Sequence, residues 1–179
     1  MYKIIDQKRI GQGDLFRQLT FKYISSSNDT IEITYPFWFI ISQDCDLEHD
    51  YKSHNGDYEN EDKNLTTVLA VPAFLALDLK NGTHMSSVNE WKMQYWNSDL
   101  YKHIKSNSNS RFHFLAASEE HSLPELIIDF KHFHTLPRDY LYSKLTNRNI
   151  ALDDLYKESV SDRFTHYLAR IALPDGSSL

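Results

Sequence analysis

One short segment combines a thiol with several polar side chains: Ser42-Gln43-Asp44-Cys45-Asp46. The continuous apolar run just before it, at residues 37–41, predicts a buried strand, and polar groups at the end of a buried strand are a common arrangement for function. Cys45 is the only cysteine, and it could act there as a nucleophile, a metal ligand or the last core residue of the strand. The carboxylates on both sides oppose thiolate formation unless a cation offsets them. The segment therefore predicts a site without naming a reaction.

A cysteine hydrolase needs a base, and His113 is the best candidate. The alternation in residues 111–115 places Arg111 and His113 together on one face of a predicted strand. In such an enzyme Cys45 would attack, His113 would accept the proton, and Gln43 or a backbone amide would stabilise the oxyanion. The alternative is an ordinary strand histidine bonded to its neighbours. No local catalytic signature follows the cysteine.

Metal ligation is the third interpretation of the same segment. Ligands of suitable type are Cys45, Asp44, Asp46, His49 and the pair His132 and His134. Zinc sites usually carry paired cysteines or histidines at helical spacing, whereas the last two histidines alternate along a predicted strand end. We therefore expect neither a metal nor a cofactor. Nucleotide-dependent chemistry is also unsupported, because the sequence has no glycine-rich phosphate loop.

Charge and composition limit the classes of partner that the protein could bind. The formal net charge is −6, and the nineteen Lys and Arg are scattered, so we do not expect nucleic acid as the primary partner. No apolar segment approaches the roughly 18 residues of a membrane span. A single cysteine cannot form an internal disulfide, and the charged first residues do not look like a signal peptide. We expect a cytoplasmic protein with a protein partner and no membrane association.

The first third of the chain has the pattern of a β-meander. Strands are predicted at residues 2–5, 15–24 and 30–35, and a fourth in the buried run at residues 37–45 that Pro36 separates from the third. Residues 48–64 then turn acidic and polar with almost no aliphatic side chain. This composition predicts a mobile surface loop or lid.

The middle of the chain is predicted to contain both strands and helices. A buried strand is predicted at residues 66–71, and residues 72–77 either continue it or begin a short helix. Mixed spacings of three and four predict a helix at residues 90–105, followed by strands at residues 111–115 and 126–130.

The clearest predicted helix is the last. Its apolar face consists of Leu152, Tyr156, Val160, Phe164, Leu168 and Ile171, and Leu173-Pro174-Asp175-Gly176 would end it. The loops between the early strands are too short for parallel crossovers. We therefore expect a single domain over residues 1–179 of the α+β class, a small, antiparallel, partly open SH3-like barrel closed by the C-terminal amphipathic helix.

Four segments in order resemble a pattern that recurs in uncharacterised prokaryotic proteins. They are residues 42–46, residues 111–115, Asp129-Phe130, and the terminal run Arg163-Phe164-Thr165-His166-Tyr167-Leu168-Ala169-Arg170-Ile171-Ala172-Leu173-Pro174. No established activity comes with this resemblance, which adds weight to Cys45, Asp46, His113 and Arg170 as positions of interest. It also implies a component of a bacterial multi-component system of the defence type.

Two arginines of the predicted terminal helix, Arg163 and Arg170, lie seven residues apart and so project from one side. They could be solvated or pair with acidic neighbours on the helix. Alternatively, one of them could reach Asp44 and Asp46 as a bidentate partner and lock the strand end.

Two hypotheses from different classes follow. The leading one is a noncatalytic protein-binding or adaptor domain that holds its partner in the groove between barrel and helix. Its binding residues would be Ser42, Gln43, Asp44, Asp46, Arg111 and Arg170. The alternative is a cysteine-dependent hydrolase that uses Cys45 and His113 and is gated by residues 48–64.

Overall fold

The computed structural model describes residues 1–5, 8–24, 26, 28–86 and 91–169. In chain order the elements are β1 (Tyr2–Ile4), β2 (Asp14–Ile24), β3 (Thr30–Ile40), α1 (Asp44–His54), β4 (Thr67–Leu75), α2 (Ala76–Asn81), α3 (Ser98–Lys105), β5 (Phe112–Leu115), β6 (Leu126–Asp129), β7 (His134–Pro137), α4 (Arg138–Ser143), β8 (Arg148–Leu152) and α5 (Asp154–Leu168). Short 3-10 turns occupy Phe130–His132 and Leu145–Asn147.

The described strands form one antiparallel sheet. Its order is β1-β8-β2-β3-β4-β6-β5, and β7 pairs with the first part of β4. The path is open, with β1 and β5 at its ends. The C-terminal helix α5 buries Val160 and Phe164 in the core on one face of the sheet. This confirms the expected α+β class with a small, partly open antiparallel sheet and a packed C-terminal helix.

Strand β3 explains why residues 37–41 are apolar without interruption. Trp38 and Ile40 belong to one core cluster, whereas Phe37, Phe39 and Ile41 belong to a second one on the opposite face. A strand that is covered on both faces reads as a continuous hydrophobic run.

The division of this region into two strands at Pro36 is wrong, because β3 runs through the proline. Arg17 pairs with Phe37 and Leu19 with Tyr35, so Gln18 lies opposite the proline. Gln18 has φ 52°, an irregular conformation. The missing N–H of Pro36 therefore falls at an irregularity of the ladder, where a proline is tolerated.

The predicted end of this strand at Cys45 is also wrong. β3 ends at Ile40, and Asp44 begins helix α1, so Cys45 lies in the first helical turn. Asp44 and Asp46 both belong to that turn, where negative side chains interact favourably with the helix dipole.

The predicted mobile loop at residues 48–64 is wrong for its first seven residues, which continue α1. Glu48 and Lys52 form an i,i+4 ion pair at 2.5 Å. Asp50 is buried and accepts a hydrogen bond from Arg138 Nε at 2.7 Å. The polar composition of these residues therefore belongs to a helix, which the contact between Asp50 and Arg138 holds in place.

In the middle of the chain, β4 continues to Leu75 before α2 begins. The helix predicted at residues 90–105 is shorter: α3 begins at Ser98, because the Asn97 side chain accepts a hydrogen bond from the amide of Leu100 at 2.8 Å and caps it. Residues 91–97 are irregular, and residue 90 lies outside the described residues. The predicted strands at residues 111–115 and 126–130 are confirmed as β5 and β6.

The terminal helix is shorter than predicted within the described part of the chain. Leu152 ends strand β8 instead of starting the helix. Val160 and Phe164 are buried as expected, whereas Tyr156 and Leu168 are exposed. The predicted positions from Arg170 onward lie outside the described residues.

Candidate binding groove

Asp44 is the centre of an ion-pair network at the start of α1. Its carboxylate accepts two hydrogen bonds from Arg9, at 3.0 and 3.3 Å, and one from the Gln12 amide at 3.1 Å. Lys157 Nζ lies 3.5 Å away on α5. Burial acts to raise the pKa of Asp44, but the hydrogen bonds and the cations hold that pKa below its ordinary value. Asp44 therefore connects the β1–β2 loop, α1 and α5.

The alternative in which Arg163 reaches this carboxylate is wrong, because the arginine that binds both oxygens of Asp44 is Arg9. Arg163 instead donates to the carbonyls of Asn107, Asn109 and Phe112, at 2.5, 2.6 and 2.9 Å. It has a structural role, holding the loop before β5 on α5. Arg170 lies outside the described residues.

Cys45 is exposed, so its interpretation as a buried core residue is wrong. Its Sγ lies 3.7 Å from Gln43 Oε1 and 3.9 Å from Asp46 Oδ1, within reach of weak hydrogen bonds from the thiol. Both acceptors are neighbours along the chain. In the described structure the thiol has no cationic or imidazole partner.

His113 is buried in the second core cluster, next to the ring of Phe130. Burial, and then the charge of Arg163, lower its pKa to about 4. Its Nδ1 has no hydrogen-bond partner among the described residues. A buried imidazole with a depressed pKa is a weak base.

The sheet register separates His113 from Cys45. His113 pairs with Ile128, Ile128 with Ala73, and Ala73 with Phe37. Three strand spacings of roughly 4.8 Å put His113 about 14 Å to the side of Phe37. Cys45 lies beyond the far end of the same strand as Phe37. The two side chains that a cysteine hydrolase would need are therefore not brought together.

A cavity of about 360 Å³ lies between the end of β3 and helix α5, and we call it the groove. Three expected binding residues, Ser42, Gln43 and Asp46, line one side of it. Ser161 and Thr165 on α5 line the other. Its apolar lining consists of Ile41, Leu65, Leu69, Phe164 and Leu168.

Hydrogen bonds hold the walls of the groove in place. The Ser42 hydroxyl accepts from the Leu69 amide at 2.8 Å, and the amides of Ile41 and Ser42 both donate to the Leu69 carbonyl. Gln12 Nε2 donates to the Ile41 carbonyl at 3.3 Å and to Ser161 Oγ at 2.8 Å. Gln12 thus connects the strand end to α5, and the groove is preformed. No local sequence pattern indicated Gln12, Arg9 or Lys157 as parts of the site.

An acidic segment of the chain begins and ends beside the groove. Residues 44–64, here called the acidic segment, contain eight carboxylates and two lysines, and this difference of six equals the net charge of the whole chain, −6. The segment starts beside the groove residue Asp46 and leads into the groove residue Leu65. Its exposed carboxylates are Asp46, Asp57, Glu59, Glu61 and Asp62.

Arg111, the remaining expected binding residue, lies at a different cavity. It donates from Nε and Nη2 to the fully buried carboxylate of Asp129, at 2.8 and 2.5 Å. Asp129 also accepts from the Lys131 amide at 3.1 Å. This cavity, of about 310 Å³, shares no lining residue with the groove.

The residues proposed for metal binding are dispersed. His134 packs among aromatic rings, 4.9 Å from the ring of Phe21, while His132 Nε2 lies 3.7 Å from Asp129 Oδ2. His49 contacts the ring of Tyr58. Within the described ranges, no three His, Cys, Asp or Glu side chains are grouped to hold a metal ion.

Comparisons with known proteins leave the function to be argued from geometry. No protein-family model matches the chain, and no curated protein matches it. Among the helices of the described residues, none has the length and apolar character of a membrane span.

Proposed function

We propose that this protein is a noncatalytic binding or adaptor domain whose groove holds an extended segment of a partner protein. The segment would carry one apolar anchor side chain flanked by lysine or arginine. The observation that carries the proposal is the combination of a preformed apolar lining with the acidic segment at its edge. Following the resemblance of the sequence, we take the partner to be another component of a bacterial multi-component system.

The apolar anchor is inferred from Leu168. This residue lines the groove in the last turn of α5 and is 53% exposed, next to buried Phe164. An apolar side chain placed here would cover Leu168 and remove apolar surface from water. A cavity of about 360 Å³ fits a short segment and not a folded domain.

The basic flanks are inferred from charge complementarity. Opposite charges across an interface speed the encounter and select the partner. The exposed carboxylates of the acidic segment would attract a basic segment. They would repel nucleic acid and anionic membrane surfaces, which agrees with the partner classes expected from composition.

The chemistry of the groove favours binding over catalysis. The described residues that line it include no histidine, cysteine, lysine or arginine. Ser42 accepts a backbone amide and Ser161 accepts from Gln12, so both hydroxyls have structural partners. Asp46 is the one titratable side chain among these residues. A general acid–base pair or an activated nucleophile is therefore missing from the lining.

The test is selection from a random peptide display library on the immobilised full chain, followed by affinity measurement with synthetic copies of the enriched peptides. We expect enriched sequences to share an apolar residue flanked by lysine or arginine. We also expect their affinity to fall with rising salt, because the charged contacts are exposed. No enrichment, or enriched peptides without basic residues, would overturn the proposal.

Matched variants locate the binding on the groove. Leu168→Asp and Leu155→Asp change exposed leucines on the same helix, but only Leu168 lines the groove. Asp46→Lys and Glu158→Lys reverse exposed charges in the same way, again with only the first at the groove. We expect the two groove variants to weaken peptide binding and the two controls to preserve it. Equal effects in both members of either pair would contradict the assignment.

A further inference from the structure

A second cavity lies between α3, the start of β5 and residues 91–97. It has a volume of about 310 Å³, at the lower end of the range of small-molecule sites. Its walls include Met93, Trp96, Leu100, Arg111 and Phe112. We call it the Arg111 cavity.

One wall of the Arg111 cavity is fixed to the end of α2. The amide of Met93 donates to the Gly82 carbonyl at 3.1 Å, and the amide of Trp96 donates to the Lys80 carbonyl at 2.9 Å. Gly82 has φ 72°, and a Cβ at this position would lie 2.2 Å from the Met93 carbonyl oxygen. The close approach therefore requires glycine, and the wall is held before any ligand binds.

Arg111 offers unused donors at this cavity. A guanidinium has five N–H donors, and Asp129 accepts one from Nε and one from Nη2. The two N–H groups of Nη1 and the second of Nη2 have no partner among the described residues. One unused N–H of Nη1 and one of Nη2 are parallel at the end of the guanidinium. This geometry allows the group to donate two hydrogen bonds to a planar carboxylate. The side chain is 26% exposed and lines the cavity.

The charges around the cavity limit a ligand to at most one negative charge. Asp129 already balances the charge of Arg111, so a bound anion would be held by the unused N–H donors and not by a net positive charge. His84 also lines the cavity, and burial lowers its pKa to about 4, so it adds no positive charge at neutral pH. Arg111 is thus the one cation among the described lining residues, and a doubly charged phosphate would face a buried carboxylate with no second cation.

The rest of the lining fits a flat apolar body. The rings of Trp96 and Phe112 pack edge to face, with centroids 4.8 Å apart, and Phe112 also lies under the Arg111 guanidinium. Leu100 and Met93 complete the apolar surface. Aromatic and aliphatic walls with a few convergent polar groups are typical of small-molecule sites.

We propose that the Arg111 cavity binds a small monocarboxylate carried on a flat apolar or aromatic body. The carboxylate accepts the two parallel hydrogen bonds from the free end of Arg111, and the apolar body lies against Trp96 and Phe112. The site is independent of the groove, with which it shares no lining residue.

The test is an NMR chemical-shift titration of the labelled full chain at pH 7 with four probes: benzoate, acetate, benzyl alcohol and phenyl phosphate. We expect saturable shifts at residues around the cavity for benzoate, with a Kd of about 1 mM or tighter. Acetate lacks the apolar body and benzyl alcohol lacks the charge, so each should bind about tenfold more weakly or worse. No saturable shift with benzoate would overturn the proposal, as would equal binding of benzyl alcohol or tighter binding of phenyl phosphate.

Two serine variants provide the matched pair, because replacing Arg111 would leave the buried Asp129 unpaired and endanger folding. Ser110 is exposed and lines the cavity beside Arg111, whereas Ser108 is exposed and lies outside it. Ser110→Asp puts a negative charge at the site, and we expect it to weaken benzoate binding about tenfold. Ser108→Asp should leave it unchanged. Benzoate affinity that is the same in both variants would contradict the site.

Discussion

The buried imidazole of His113 makes the stability of the fold depend on pH. Its side chain is 5% exposed, and burial together with the charge of Arg163 on α5 lowers its pKa to about 4. In the unfolded chain the same group has a pKa of about 6.5. Between these two values the unfolded state binds a proton that the folded state does not.

The sign and size of the effect follow from proton linkage. The stabilisation from a neutral His113 is fully present above about pH 6.5, and it is lost as the pH falls toward 4. One pKa unit corresponds to about 1.4 kcal/mol, so the contribution of His113 to the free energy of unfolding should fall by about 2 kcal/mol between pH 8 and pH 5 and by about 3 kcal/mol near pH 4. Well below pH 4 the loss becomes constant, because both states are then protonated.

Urea unfolding at pH 8, 7, 6 and 5 measures this loss. His113→Leu removes the titrating group, and we expect its stability to fall by about 2 kcal/mol less than that of the natural chain between pH 8 and 5. His103→Leu, on the exposed surface of α3, is the control and should follow the natural chain. Asp14 acts in the opposite direction, because burial raises its pKa, but it is present in every variant and cancels. A His113→Leu curve parallel to that of the natural chain would refute the reasoning.

Three further predictions concern the close approach at Gly82, the contact between Arg138 and Asp50, and the exposure of Cys45. Gly82→Ala places a Cβ against the Met93 carbonyl at positive φ and should cost about 1–3 kcal/mol in thermal unfolding; an unchanged Tm would contradict the close approach. Arg138→Leu leaves the buried Asp50 carboxylate without its arginine, held only by the Leu65 amide and near His54, and should cost about 3–5 kcal/mol in urea; a loss below about 1 kcal/mol would contradict the anchor. Cys45 is exposed, so iodoacetamide should modify it in the folded protein; protection until unfolding, read by intact mass, would contradict its position.

Sequence patterns predicted the parts of the fold that follow from local burial. The apolar run before Ser42 marked a strand covered on both faces, and β5 and β6 were predicted within one residue of their ends. Helix α1 was missed because it has few apolar side chains and depends on Asp50 meeting Arg138, eighty-eight residues further along the chain. Such an anchor exists only after β7 and α4 are folded against α1.

The candidate site was also predicted only in part. Ser42, Gln43 and Asp46 were predicted from the end of a buried strand, and they do line the groove, although a helix begins between them. The partners of Asp44 were not predicted, because Arg9 and Lys157 come from a loop and a helix that nothing in the local pattern places beside α1.

The position of Arg111 beside Asp129 follows from the pairing of two predicted strands. β5 and β6 pair with Phe112 opposite Asp129, and Arg111 immediately precedes Phe112. Pairing these two predicted strands would have suggested the ion pair. The register also separates the two residues named for the alternative hydrolase, because it sets His113 three strands from the one that leads to Cys45.

The affinity of one enriched peptide for Leu168→Asp and Leu155→Asp tests the proposed binding function most directly. Both leucines are exposed on α5, so neither change should disturb the core, and only Leu168 lines the groove. Placing a carboxylate where an apolar anchor binds should raise the Kd at least about tenfold for Leu168→Asp. The Kd for Leu155→Asp should match that of the natural chain. Equal Kd values for the two variants would show that the peptide binds elsewhere and would contradict the groove as the binding site.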